Sequence, residues 1–265
     1  MSHVEQRLKD TINFLVQHLP GASELAEIAE CGTIVLDSKR DGDAEKILIG
    51  KNTKSYDQSD FQRALDEFKT RNLCNLEVGR LYERYIGYLK EQDNWKVAFT
   101  GILGGYGDLG RDLVCIKDNR HQIIQAKCWS KKKEIHEKHI YQLYATVTHY
   151  RLQLRESFKL KFGRKKARQI MGSQEITGHL ISTTKLSEMA NKVAKHCCIN
   201  YEMIELSKEY PMVKCNISKK TGEKRYHLPF DSHYDSIIIG NVDGESYVKT
   251  VQEAESSGFK RIGYA

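Results

Sequence analysis

The stretch GRDLVCIKDNRHQIIQAKCWS, residues 110 to 130, constrains this chain more than any other. Two apolar runs, DLVCI and QIIQAKCW, flank the polar turn Lys117-Asp118-Asn119-Arg120, and that spacing predicts an antiparallel hairpin. Each run carries a charge, Asp112 in one and Lys127 in the other, into a strand otherwise suited to burial. An unpaired buried charge costs roughly several kcal/mol, so each must meet a partner, meet a metal ion or emerge at a sheet edge. Strand alternation sets Asp112 with Val114 and Ile116, and sets Gln125 and Lys127 with Ile123. On adjacent strands these side chains can converge. A carboxylate, an amide or backbone oxygen and an ammonium describe a Mg²⁺ site with a nearby cation, because Mg²⁺ takes a few hard oxygens and keeps several waters. Such a site suits phosphodiester hydrolysis, in which the metal lowers the pKa of a water and the lysine orients it or offsets charge in the transition state.

Around this hairpin the periodicity gives an element order. VEQRLKDTINFLVQHL, a segment starting at Ser23 and SDFQRALDEFKTRNL each have helical spacing, separated by Pro20-Gly21 and a polar stretch over 38–57. GRLYERYIGYLKEQ predicts a helix ended by Asp93-Asn94, and WKVAFTGI a strand followed by the turn GGYGDLG, in which Asp108 is read as turn-forming. After the hairpin come a long helix from about Glu134, a basic insertion, the strand GHLISTT, the helix LSEMANKVAKHC and the strand NYEMIEL. The order αβββαβαβ implies an α/β fold: a three-layer core around a mixed central sheet. We expect a helical N-terminal region over 1–74, the α/β domain over 75–208, and, past Pro211, a small β-rich module over 209–265.

Bulk properties narrow the class. No apolar run nears the roughly 20 residues that span a bilayer, and MSHVEQRLKD lacks the apolar stretch of a signal peptide, so a cytoplasmic protein without a membrane partner is expected. The seven cysteines form no CxxC pair, which fits a reducing compartment; a zinc site from Cys197, Cys198, Cys215 and His227 or His233 would need irregular spacing. A net charge of +7 hints at a polyanionic partner.

Glu83 in GRLYERYIGYL, Asp112 in GDLGRDLV and Gln125-Ala126-Lys127 in IIQAKCW stand in order on helix, strand and strand. This pattern resembles the PD-(D/E)xK nuclease core, and within it the Mrr-like branch of restriction endonucleases, over roughly residues 79–206. The resemblance implies a restriction-endonuclease-like fold and a Mg²⁺-dependent (alternatively Mn²⁺-dependent) DNA endonuclease acting in restriction or phage defence, commonly as a homodimer. It further implies that Asp112 is the central metal ligand, that Gln125 contributes from the second strand, that Lys127 is the catalytic lysine, and that Glu83 reaches the metal directly or through water. With Gln125 replacing the usual second acid, Glu83 should matter more. Taken singly, Glu83 is an ordinary solvated residue and Lys127 a snorkelling one; the conjunction carries the reading.

Substrate-side residues follow from charge. Lys131, Lys132 and Lys133 come directly after the second strand, and His136, His139 and Gln142 can share a helix face near the scissile phosphate. FKLKFGRKKARQ gathers Lys159, Lys161, Arg164, Lys165, Lys166 and Arg168 around Phe158 and Phe162, a DNA-backbone contact by composition. The C-terminal run, through Asn216-Ile217, Tyr226-His227-Leu228-Pro229, Tyr234, Gly244-Glu245, Glu253-Ala254 and Gly258-Phe259, resembles a small accessory module of nucleases sometimes called a sunset domain. Two other functions share these features: a catalytically inactive nucleic-acid-binding protein of the same fold, and a nuclease for RNA or for repair or branched DNA.

Overall fold

The computed structural model describes residues 57–104 and 110–261. The first two predicted helices and the turn residue Asp108 lie outside the described residues. The third predicted helix is α1, Gln58–Thr70, opened by an Asp57–Asp60 capping box and burying Phe61, Ala64, Leu65 and Phe68 at the expected spacing. Contacts divide the chain at Gly79: one unit runs up to Gly79 and takes in Phe230–Ser232, and the other holds Arg80–Pro229 and resumes at His233.

In the second unit the elements follow in order. Helix α2 (Asn75–Gln92) leads into β1 (Lys96–Phe99), a short α3 (Thr100–Gly104), β2 (Leu113–Lys117), β3 (Arg120–Lys127), α4 (Glu137–Phe162) and α5 (Arg164–Gly172). Then come β4 (Glu175–Ser182), α6 (Glu188–His196) and β5 (Ile199–Met203). The sheet runs β1-β2-β3-β4-β5, antiparallel through β3 and parallel from β3 to β5, which is the mixed sheet expected. One face packs Leu113, Cys115, Ile124 and Ile181 with Tyr82 and Ile86 of α2. The other packs Val114, Ile123, Leu180 and Ile199 with Ile140, Leu143 and Val147 of α4 and Ala190 and Ala194 of α6. Fully burying each such aliphatic contributes roughly 1.5–3 kcal/mol, so the two faces fix the three layers.

The remaining chain forms a second sheet ordered β8-β6-β7-β9 from β6 (Val213–Ile217), β7 (Lys224–His227), β8 (Ser246–Val248) and β9 (Lys260–Arg261), with α7 (Val251–Ser256) before β9. No helix among the described residues is long and apolar enough to cross a membrane.

Three local expectations are corrected. The strand read through Ile102 stops at Phe99, because the Thr100 hydroxyl donates to the carbonyls of Arg111 and Asp112 and the Gly101 N–H donates to Asp112, which bends the chain into α3. The long helix starts at Glu137 rather than Glu134, since the buried Ile135 is pinned as an extended residue, its N–H on Lys185 and its carbonyl accepting from Ser187. The basic insertion is helical: it is the end of α4 and all of α5, hinged at Gly163, whose φ of 78° suits glycine.

Candidate active site

The hairpin places the central residues. Asp118 takes the left-handed conformation, φ 55°, that Asp tolerates, and so closes the β2–β3 turn. The register pairs Leu113 with Ile124. Asp112, the residue before β2, does not extend that register: its N–H bonds the carbonyl of the same Ile124.

Asp112 is held along its whole length. Its N–H donates to the Ile124 carbonyl at 2.9 Å, its carbonyl accepts from Gly101 N–H at 2.9 Å, and its Oδ2 accepts from the Ala126 N–H at 2.6 Å. The carboxylate therefore cannot swing away. Its other oxygen, Oδ1, faces a gap at Gly101: a Cβ there would stand 3.2 Å from Asp112 Oδ1 and 3.0 Å from Glu83 Oε2. Glycine at 101 thus leaves room for two carboxylates, one from α2 and one from the hairpin. Two carboxylates gathered at one point offer hard-oxygen ligands to a divalent cation.

Gln125 is only 1% exposed. Its Nε2 donates to the Gly110 carbonyl at 3.0 Å and lies 3.5 Å from Gln142 Oε1, while its Oε1 is buried and has no hydrogen-bond partner among the described residues. A buried amide oxygen with uncommitted lone pairs on the strand that pairs with β2, taken with the two carboxylates at Gly101, is a set of hard-oxygen donors of the kind Mg²⁺ or Mn²⁺ takes. No group of three or more His, Cys, Asp or Glu among the described residues is placed to hold a metal, so the zinc alternative has no counterpart there. The half-buried Lys127 ends β3, two residues beyond Gln125 and on the same strand face, opposite Ser182 of β4. Burial pushes the neighbouring Cys128 thiol up, so it is a neutral bystander.

The substrate-side residues fall into separate groups. Lys131 pairs with Glu205 at 2.6 Å on an open surface, an interaction worth at most about 1 kcal/mol. Lys132 is exposed, Lys133 lies over the Trp129 ring, and the exposed His136 is the N-cap of α4 without a side-chain capping bond. His139 departs from the expected face: it is 4% exposed, edge-on to Trp129. Gln142, expected on the substrate side, sits against Gly110 and Gln125.

The basic cluster lies about 25 Å farther along the α4 axis. There Lys159, Arg164 and Arg168 line one groove with Arg155, Ala167 and Met171, while Lys161 and Lys166 stand over Phe162 and Lys165 is exposed. The sequence pattern missed Arg155, Thr100, Gly101 and Gly110. Of these only Gly110, just before Arg111-Asp112, left a local signal.

A family model described as restriction endonuclease, the Mrr catalytic domain, matches residues 78–190, a span that holds Glu83, Asp112, Gln125 and Lys127. No curated protein and no solved structure matches the chain.

Proposed function

Residues 78–190 are a restriction endonuclease domain of the Mrr catalytic family, and from that premise we propose that the chain is a Mg²⁺-dependent DNA endonuclease of restriction or phage defence. The observation that supports the reading is the approach of Glu83 Oε2 and Asp112 Oδ1 to one point at Gly101. Asp112, Glu83 and Gln125 would hold the ion, with Mn²⁺ as an alternative occupant. When bound, it supplies Lewis acidity at the phosphoryl group and a water of lowered pKa.

The protein's own groups do the rest. Lys127 offsets charge that develops on the phosphorane-like transition state or orients the attacking water, and the hairpin bonds hold Asp112 still, which lowers reorganisation during the reaction. Lys131, Lys132, Lys133 and His136 bind phosphates close to the cut. Lys159, Lys161, Arg164, Lys165, Lys166 and Arg168 bind them farther along the duplex, at a reach of several base pairs. Cutting both strands calls for two sites, so the working form is a homodimer, and the expected location is the cytoplasm.

The test is cleavage of plasmid and phage DNA, methylated and unmethylated, with Mg²⁺ or EDTA. Metal-dependent cutting that is lost in Asp112→Ala and Lys127→Ala is the expected result. Intact DNA under every condition, with DNA binding retained, refutes the nuclease.

A further inference from the structure

Gln125 raises a question of its own. A glutamine amide presents an NH₂ group or an oxygen depending on how it is turned, and only the oxygen can ligate a cation. The Gly110 carbonyl can only accept, and it stands 3.0 Å from Gln125 Nε2, so the amide's NH₂ must face Gly110. A second acceptor, Gln142 Oε1 on α4, lies 3.5 Å from the same nitrogen. Together they engage both N–H bonds and leave Oε1 as the buried, uncommitted atom.

Gly110 makes the arrangement possible. Its φ of 77° is one glycine adopts readily, and a Cβ on it would stand 2.5 Å from Gln142 Nε2, so the Gln142 side chain occupies the space that glycine vacates. Gln142 itself is exposed on the helix. Burial therefore does not explain why its amide lies against the hairpin.

We propose that Gln142 is a positioning residue, which with the Gly110 carbonyl locks the Gln125 amide so that its oxygen faces the metal. This inference rests on the metal-dependent nuclease reading and deepens it. A carboxylate at position 125 would need no such lock, because both of its oxygens ligate equally. An amide in that position needs one.

The test is Mn²⁺ binding to the full chain without DNA, followed by electron paramagnetic resonance of the free ion. Wild type is compared with Gln142→Ala, Gln142→Glu and Asp112→Ala. Removing an outer partner of a ligand typically weakens metal binding about 10- to 100-fold, so Gln142→Ala should lose roughly tenfold or more. Gln142→Glu, whose carboxylate still accepts from Gln125 Nε2, should bind Mn²⁺ at least as well as wild type. A residue that merely contacts DNA predicts the reverse: unchanged Mn²⁺ binding in Gln142→Ala and weakened DNA binding in Gln142→Glu. Wild-type Mn²⁺ affinity in Gln142→Ala, with binding abolished in Asp112→Ala, overturns the lock and leaves the metal centre standing. Unchanged binding in Asp112→Ala overturns both.

Discussion

Glu83 and Arg84 are neighbours on α2 that serve opposite ends. Arg84 makes a bidentate pair with Asp235, Nε to Oδ1 at 2.8 Å and the terminal nitrogen to Oδ2 at 2.7 Å, with the two side chains 7% and 8% exposed. Around it Glu91 accepts from the Tyr247 hydroxyl and the Ile239 N–H, and Lys214 donates to the carbonyls of Tyr234 and Ile237. Burial raises the Glu91 carboxyl and lowers the Lys214 ammonium to about 8. By perturbed ionisation alone this cluster would look like the active centre. Yet each of its charged groups is matched by a partner, and what Arg84 and Glu91 do is tie α2 to the second sheet and its loops. One residue away, Glu83 meets Asp112 across the Cβ position that Gly101 leaves empty. On the proposed reading, the matched buried charges serve structure, and the residues around Gly101 serve the reaction.

That contrast can be broken from the structural side first. Arg84→Ala leaves Asp235 buried without its partner, a change that costs about 3–5 kcal/mol, whereas replacing both by apolar residues of similar volume should recover most of the loss. Denaturant unfolding checks this, and a harmless Arg84→Ala would mean that the pair does not hold α2 in place.

A smaller effect tests Lys214. Its native pKa of about 8 lies below the ordinary lysine value of 10.5, so between those values the unfolded chain holds a proton that the native chain lacks. The stability this residue contributes is therefore lowest below pH 8 and rises with pH through that window. Several buried tyrosine and cysteine groups with raised pKa act in the opposite direction above about pH 9, so the informative comparison is between pH 8 and 9. Lys214→Met should unfold with a flatter pH profile there than wild type; identical profiles would show that Lys214 is not the source.

The smallest effect belongs to the basic groove. The double variant Arg164→Gln, Arg168→Gln should reduce the slope of log binding constant against log salt by about 2, because each lost phosphate contact returns about 0.9. A wild-type slope would remove that groove from the DNA interface.

What could be read in the sequence was whatever depends on neighbours along the chain. The alternation in DLVCI and QIIQAKCW, with its polar turn, gave the hairpin, and the same periodicities gave the order of the mixed sheet and its helices. Features that depend on distant partners were not legible. The break at Thr100 needs the carbonyls of Arg111 and Asp112. The inward turn of His139 needs Trp129, and the place of Gln142 needs Gly110 and Gln125. Arg84 finds Asp235 across 151 positions, and nothing in GRLYERYIGYL announces that partner. In the candidate site, the sequence offered Glu83, Asp112, Gln125 and Lys127 in order, but not the Cβ position left empty at Gly101, where Glu83 and Asp112 come together.

The central claim is that the meeting point of Glu83 and Asp112 is a catalytic metal centre rather than a structural cluster. Single-turnover plasmid cleavage by Asp112→Asn, with DNA binding and melting temperature measured on the same preparation, tests it most directly. The account predicts cleavage reduced by at least about 10²–10³-fold, with binding and melting temperature near wild type. Cleavage that survives in Asp112→Asn, or a protein that loses its fold along with its activity, would contradict it.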